Sequence, residues 1–188
     1  MNTSVKKQNF FVETFKFTLI AILIVIPIRF FIAQPFIVSG ASMDPTFYDG
    51  EYIIVDELSY RFSLPERGET IIFKYPRDPS KYFIKRIIGL PRETVIIDNG
   101  TITIKNDENP QGVTLTEPYV AALNSKLDTL SITLKEDEYY VLGDNRRVSS
   151  DSRAWGPVKE NLIVGRPFVR LYPLRTLALF PGTYPPLK

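Results

Sequence analysis

TIIFKY, at residues 70–75, and YFIKRII, at residues 82–88, are short segments rich in β-branched and aromatic side chains. Such side chains pack well on the pleated surface of a sheet, so each segment predicts a strand. Six further segments have the same character: Glu51–Asp56, Thr94–Asp98, Thr101–Lys105, Leu130–Leu134, Glu138–Leu142 and Leu162–Tyr172. Asn99-Gly100 lies between two of them and favours a tight hairpin turn. The sequence therefore predicts a mainly β body over residues 35–188.

The composition excludes several classes of function. The 188 residues carry 23 Lys and Arg against 21 Asp and Glu, and this net charge of +2 gives no electrostatic argument for nucleic-acid binding. No histidine or cysteine is present, which excludes histidine-based triads, thiol nucleophiles and His- or Cys-ligated metals. No glycine-rich phosphate-binding pattern occurs, so no nucleotide is expected.

Carboxylate pairs leave two alternatives open, because a glycosidase or a calcium site can be built from such pairs. The pairs in question are Asp49 with Glu51 and Asp144 with Asp151. Turn and surface roles account for the first pair more simply. We expect no metal and no cofactor.

The N-terminal part of the chain differs from the body, since residues 17–28 (FTLIAILIVIPI) carry no charge. Continued to Val38, the segment would extend roughly 33 Å as a helix, enough for a hydrocarbon core of about 30 Å. Pro27 is expected to kink this helix and Pro35 to end it. We predict a single transmembrane anchor over residues 15–34. A cleavable signal peptide and a buried core helix are the competing interpretations.

Positive charges predict the orientation of this anchor. Lys6, Lys7 and Lys16 precede the apolar run, whereas residues 30–60 contain no Lys or Arg. By the positive-inside rule, residues 1–14 form a cytoplasmic tail and residues 35–188 form an extracytoplasmic domain. The predicted location is the cell membrane, with the lipid bilayer as a partner.

Serine and lysine are the remaining candidates for catalysis. Alternation along residues 82–88 places Phe83, Lys85 and Ile87 on one face of the strand, and burial there would depress the lysine pKa to about 8–9 or lower. Ser42 follows small residues in a segment that is otherwise a plausible linker. The polar run after Leu142 holds a third cluster, which is either a long turn or the support of a site: Asp144, Arg146, Ser149, Asp151, Arg153 and Trp155.

Three motifs occur in order behind the predicted anchor: SGASMDPT at 39–46, KRIIGLP at 85–91 and GDNRRVSSDSR at 143–153. Together they resemble bacterial type I signal peptidase (leader peptidase). The resemblance implies an all-β catalytic domain with a small β insertion, here at approximately 92–135. It also implies a membrane-bound serine endopeptidase that removes signal peptides from exported preproteins after Ala-x-Ala-like sites.

The same resemblance assigns roles to residues. Ser42 would be the nucleophile and Lys85 the general base, with Ser149 hydrogen-bonded to the lysine amine. Asp151 and Arg153 would form an ion pair beneath the site, and Asp144 and Arg146 would support the same loop. The backbone N–H of Ser42 would donate to the oxyanion. Apolar residues would line the pockets for small substrate side chains: Phe36, Val38, Met43, Phe83 and Ile84.

The sequence departs from the family pattern at three places. Gly40 stands where many members have a serine that completes the oxyanion hole. Arg147 and Val148 replace a commonly polar pair, and Arg92-Glu93 stands where Gly-Asp often follows Leu-Pro. A related peptidase with a dedicated substrate and an inactive, membrane-anchored peptide-binding module are the alternative functions.

Overall fold

The computed structural model describes residues 10–31, 33–120 and 129–184. Its helices are α1 (Phe10–Phe31) and α2 (Ser152–Trp155). Its strands are β1 (Ala33–Ile37), β2 (Tyr52–Asp56), β3 (Thr70–Tyr75), β4 (Asp78–Gly89), β5 (Thr94–Asp98), β6 (Thr101–Lys105), β7 (Val113–Thr114), β8 (Thr129–Thr133), β9 (Glu138–Leu142), β10 (Val158–Lys159), β11 (Ile163–Tyr172) and β12 (Ala178–Leu179). The mainly β prediction is confirmed for this part of the chain.

The larger of the two sheets within the described ranges carries the central strands. Its order is β1-β2-β11-β3-β4-β9-β10, with β12 paired to β11, and all its strand pairs are antiparallel. Alternation explains β2, in which Ile53 and Val55 are buried while the residues between them are half-buried. The two faces of this sheet therefore supply separate hydrophobic clusters that hold β4 in the middle of the domain.

The second sheet, ordered β7-β6-β5-β8, lies within the range that the sequence predicts as an insertion. Its buried face contributes Val95, Ile97, Ile102 and Ile104 to one core cluster. Asn99 and Gly100 adopt φ angles of 48° and 85°, the left-handed conformation of the predicted hairpin turn. Residues 121–128, within the same predicted insertion, lie outside the described residues.

The end of α1 differs from the predicted end of the anchor. Residues 33 and 34 already belong to β1, which pairs with β2 from Ala33 opposite Asp56 to Ile37 opposite Tyr52. Pro35 fits there because β1 is an edge strand, where a missing backbone N–H is tolerated. Pro27 lies inside α1 and does not end it.

Across residues 10–31, 33–120 and 129–184, we find no helix with both the length and the apolar character needed to cross a membrane. The anchor over residues 15–34 stays a prediction. Residues 1–9 of the predicted cytoplasmic tail lie outside the described residues.

Candidate active site

Ser42 lies in the loop that connects β1 to β2. Backbone hydrogen bonds fix the ends of this loop, because Val38 N–H donates to the Glu51 carbonyl and Gly50 N–H donates to the Val38 carbonyl, both at 2.9 Å. Asn145, in the loop after β9, donates its backbone N–H to the Ser42 carbonyl at 3.1 Å. The loop that carries Ser42 is therefore tied, at residue 42, to a second loop from a distant part of the chain.

Lys85 reaches the same point from β4. Its side chain is only 4% exposed, and its Nζ lies 2.7 Å from Ser42 Oγ. The amine also donates to the Ile84 carbonyl at 2.8 Å and lies 5.5 Å from the centroid of the Phe83 ring. Phe83 and Ile87 pack in one hydrophobic cluster, as the alternation of β4 predicts. The two candidate catalytic side chains are thus in hydrogen-bond contact, and the lysine is almost fully buried.

Burial changes the proton affinity of this amine. Desolvation lowers the pKa of Lys85 to about 8, although the negative charges of Asp151 and Asp144 oppose the shift. At pH 7 about one molecule in ten would then carry a neutral amine, against roughly one in 2,500 for a free lysine. The site therefore holds a population of lysine able to accept a proton.

Ser149 does not form the predicted hydrogen bond to Lys85. Its Oγ is buried and has no hydrogen-bond partner among the described residues. The side chain lies against Gly143 instead, at the start of the loop that holds Asn145. The role of Ser149 in orienting the amine stays a prediction.

Asp151 and Arg153 form an ion pair behind this loop. Arg153 Nε and Nη2 each donate to Asp151 at 2.8 Å, and Nη2 also donates to the Arg146 carbonyl at 2.7 Å. Burial raises the pKa of Asp151, but the guanidinium of Arg153 outweighs it and holds that pKa below its usual value. Ser149 makes a smaller contribution in the same direction, although its distance and angle to Asp151 do not make a hydrogen bond. The negative charge of Asp151 in turn favours the protonated form of Lys85.

Asp144 and Arg146 are held by partners that the sequence analysis did not identify. Asp144 accepts two hydrogen bonds from Arg86, from Nε at 2.8 Å and from Nη2 at 2.6 Å, and a third from Thr46 Oγ1 at 2.5 Å. Arg146 forms a two-point ion pair with Glu117, which precedes the undescribed segment 121–128. The loop after β9 is therefore tied to β4 and to the insertion by buried charges.

Two backbone N–H groups near Ser42 differ in their availability as oxyanion donors. The N–H of Gly40 already donates to Asp49 Oδ1 at 2.7 Å. The N–H of Ser42 makes no hydrogen bond within the described part of the chain. Gly40 has a φ of +87°, a conformation that a side chain disfavours, although a Cβ there would meet no atom within 4 Å. A serine at this position would thus have space but a strained backbone.

A groove of about 470 Å³ ends at Ser42 and Lys85. Four of the predicted substrate-contacting residues line it, namely Phe36, Val38, Phe83 and Ile84. The fifth, Met43, does not, because its side chain is fully buried in the cluster beneath the loop. The structure adds groove residues that the sequence analysis missed: Ile37, Ser39, Ala41, Ile53, Ile72, Tyr82, Val148 and Ser150.

Gly143 marks a point where the loops that carry Ser42 and Ser149 leave no space for a side chain. A Cβ at this position would lie 2.3 Å from Ser149 Oγ and 2.4 Å from the Ser42 carbonyl oxygen. We expect Gly143→Ala to displace the Ser42 backbone and to lower kcat/KM by about 10²-fold, the usual cost of an ångström-scale misplacement. Steady-state cleavage kinetics at a temperature below the unfolding transition measure this effect.

Gly156→Ala is the matched control, because Gly156 has a left-handed φ of +88° but open space around a new Cβ. It should cost stability without a comparable loss of kcat/KM. If Gly143→Ala keeps kcat/KM within twofold of the unchanged protein, the contact between the two loops does not position Ser42.

Comparison with known proteins identifies the family. The chain matches the family described as signal peptidase, peptidase S26, over residues 11–172. It is 36% identical over 187 residues to a probable signal peptidase I-2 of Synechocystis sp., covering 94% of this chain and 82% of the relative. It is also 36% identical over 171 residues to signal peptidase I of Bacillus amyloliquefaciens, covering 85% and 84% of the two chains.

A crystal structure of a signal peptidase I from Enterococcus faecalis V583 is similar at 33% sequence identity. It covers 55% of this chain and 97% of the solved chain, with a TM-score of 0.47. The family match extends over most of the chain and includes the segments that carry Ser42, Lys85 and Ser149. The chain therefore belongs to the signal peptidase family, peptidase S26.

Proposed function

We propose that Ser42 is the nucleophile and Lys85 the general base of a signal peptidase that cleaves exported preproteins after Ala-x-Ala-like sites. The observation that carries this proposal is the 2.7 Å contact between Lys85 Nζ and Ser42 Oγ, made by a lysine that is almost fully buried. A neutral amine at this distance accepts the hydroxyl proton as Ser42 attacks the scissile carbonyl.

The remaining steps follow from the same geometry. The developing oxyanion receives a hydrogen bond from the unengaged N–H of Ser42 and from a second donor that is backbone or water. The Lys85 ammonium then protonates the departing amine, which is the new N-terminus of the mature protein. Neutral again, Lys85 takes a proton from the water that attacks the acyl-enzyme and returns it to Ser42 Oγ as the carbon–oxygen bond breaks, which restores the free serine and the neutral lysine. One lysine thus serves both halves of the reaction.

The groove supports the choice of small residues around the cleaved bond. Val38, Ile84 and Ile53 lie on its walls, so an extended peptide leading to Ser42 meets apolar surface at shallow depth. Phe36 and Tyr82 pack together with their ring centroids 5.2 Å apart, and both line the groove. We propose that this groove accepts alanine one and three residues before the cut.

Apolar exposure on α1 supports a membrane location for the N-terminal segment. Three phenylalanine side chains of α1 are highly exposed: Phe10 at 74%, Phe11 at 85% and Phe17 at 73%. Contact of such apolar surface with water is unfavourable, whereas contact with lipid is favourable. We propose that α1 anchors the enzyme from residue 15 to its end at Phe31, with residues 1–14 in the cytoplasm and the β domain from Ala33 onward outside it. The site would then face preproteins as they emerge from the membrane.

Sealed vesicles containing the full chain test this function. Right-side-out vesicles should cleave preproteins added from outside, whereas inverted vesicles should do so only after detergent. A substrate with leucine in place of the alanine before the cut should be cleaved about 10²-fold more slowly, since a side chain of the wrong size for its pocket lowers kcat/KM by about this factor. Mass spectrometry of the products measures both effects and locates the cut.

The outcomes separate the alternatives. Cleavage of several unrelated preproteins supports the general signal peptidase, whereas cleavage of one alone indicates a dedicated-substrate peptidase. Binding without cleavage indicates an inactive peptide-binding module. Equal cleavage by sealed vesicles of both orientations would contradict the proposed orientation of the anchor.

A further inference from the structure

Arg86 follows Lys85 directly in the chain but is buried on the opposite face of β4. Its side chain is completely buried, and its guanidinium forms the two-point ion pair with Asp144. Nη1 donates to two further acceptors, the carbonyls of Gly68 at 2.6 Å and Gly182 at 2.8 Å. This cation is thus satisfied by groups from three distant parts of the chain.

The C-terminal segment 180–184 supplies two of the groups that surround Arg86. One is the Gly182 carbonyl, and the other is the ring of Tyr184, whose centroid lies 4.9 Å from Arg86 Cζ. The Tyr119 ring lies 4.0 Å from the same carbon. Such cation–π contacts are strongest where water is excluded. The family match ends at Tyr172, so this segment follows the matched region.

The same segment also packs against the loop that carries Ser42. A Cβ at Gly182 would lie 2.7 Å from the Phe47 ring and 3.1 Å from the Thr46 methyl, so the chain passes close above these side chains. Thr46 in turn donates to Asp144, and both Thr46 and Phe47 donate their N–H to the Met43 carbonyl. Contacts therefore continue from the C-terminal segment to the residue that follows Ser42.

We infer that residues 180–184 are a positioning element for the catalytic loops, acting through Arg86 and Thr46–Phe47. The segment closes the burial of Arg86, Arg86 fixes Asp144, and Asp144 begins the loop whose Asn145 N–H holds the Ser42 carbonyl. Tyr184 and Gly182 touch no reacting atom and act only through these neighbours. The inference rests on the proposed roles of Ser42 and Lys85.

The pH profile distinguishes positioning from simple structural support. The charged groups that act on Lys85 are Asp144, paired with Arg86, and Asp151, paired with Arg153. Loosening Arg86 leaves the Asp144 anion less compensated, and this anion favours the protonated amine. The rising limb of kcat/KM should then move to higher pH.

The test compares Tyr184→Ala with Tyr184→Phe in the full chain. Tyr184→Ala should lower kcat/KM at pH 7 by about tenfold, equivalent to about 1.4 kcal/mol and within the range of a buried cation–π contact. Its rising pH limb should shift upward, whereas Tyr184→Phe keeps the ring and should match the unchanged protein. Hydrogen exchange of the Asn145 amide, read in parallel, should accelerate in Tyr184→Ala alone.

The Tyr184 variants test the inference, and the activity of the unchanged protein tests the proposed function. Unchanged kcat/KM, pH limb and Asn145 exchange in Tyr184→Ala would overturn the inference, even if the variant melts at a lower temperature. If the unchanged protein cleaves no preprotein, the proposed function fails, and the exchange of Asn145 alone then decides whether the segment positions the loop.

Discussion

Ser42→Ala and Lys85→Met should each lower kcat/KM by at least about 10⁴-fold, because each removes one member of a unit that transfers a single proton. Without the hydroxyl there is no acyl-enzyme, and without the amine the hydroxyl is not deprotonated near neutral pH. The double variant should have the same kcat/KM as either single variant, because removal of one group already abolishes the proton transfer that both groups share. Purified protein from a host lacking its own signal peptidase, assayed on one preprotein, gives these rates.

An exposed lysine and an exposed serine provide the matched controls. Lys81 lies on β4 four residues before Lys85 but is exposed, and Ser63 is an exposed serine outside the groove. Lys81→Met and Ser63→Ala should keep full activity. Cleavage by Lys85→Met at a tenth or more of the normal rate would exclude Lys85 as the base.

Lys85→Met should also fold, because burying this lysine costs stability. The folded pKa of about 8 lies below the reference value of 10.5, so the cost is complete below about pH 8 and disappears as the pH rises to 10.5. The stability advantage of Lys85→Met over the unchanged protein should therefore shrink by about 3 kcal/mol between pH 7 and 10.5. Loss of activity in this variant then cannot be attributed to unfolding.

Asp144→Ala should give the largest loss of stability among single side-chain changes around the site, about 3–5 kcal/mol. Both Asp144 and Arg86 are 0% exposed, so removal of the carboxylate leaves a guanidinium buried without its counter-charge. Thr46 Oγ1 loses its acceptor at the same time. Urea unfolding followed by circular dichroism should show a lower midpoint with an unchanged slope.

An exposed ion pair provides the comparison. Arg92 and Glu136 are also 2.6 Å apart but 73% and 79% exposed, so Glu136→Ala should change the free energy of unfolding by less than about 1 kcal/mol. Replacing both Arg86 and Asp144 by apolar residues should recover much of the loss, since no uncompensated charge remains. If Asp144→Ala is no more destabilising than Glu136→Ala, the buried pair does not hold the loop.

Local sequence pattern was sufficient for the central strands. Thr70–Tyr75, Thr94–Asp98, Thr101–Lys105 and Glu138–Leu142 are strands with the predicted bounds, because each has a strong local preference and a turn at its end. β1 was missed for a physical reason. Residues 33–37 are too short and too irregular to show an alternating pattern, and their strand conformation depends on pairing with β2, some twenty residues later.

The contacts of the site also divide into those that follow from local sequence pattern and those that depend on distant parts of the chain. The contact of Lys85 with the Phe83 ring, and the packing of Phe83 with Ile87, followed from alternation within one strand. The partners of Arg86 did not, because Asp144 is 58 residues away and Gly182 is 96 residues away along the chain. Its only local signal was a second basic residue in a strand otherwise rich in apolar side chains. Met43 was assigned to the groove by proximity to Ser42, but the turn after Ser42 directs it into the core.

The sequence also did not indicate that Gly143 lies in close contact with the loop that carries Ser42. Its importance arises only when the loop after β9 meets the loop after β1, where Ser149 and the Ser42 carbonyl leave no volume for a Cβ. The resemblance to signal peptidases placed Ser149 and Asp151 in the correct loop. It also gave the Asp151–Arg153 ion pair, but not the partners of Asp144 and Arg146, which come from distant parts of the chain.

The pH dependence of kcat/KM for the full chain is the most direct measurement of the proposed dyad, because this ratio reports the ionisation of the free enzyme. Burial lowers the pKa of Lys85 to about 8, and the neutral amine is the active form, so kcat/KM should rise with pH and level off above about 8. Asp151→Asn should move the rising limb to lower pH, since the Asp151 charge favours the protonated amine; Asn in place of the exposed Asp98 should leave it unchanged. A profile that is flat from pH 6 to 9, or a limb that stays near the reference value of 10.5 and is unchanged by Asp151→Asn, would contradict a buried Lys85 acting as the base for Ser42.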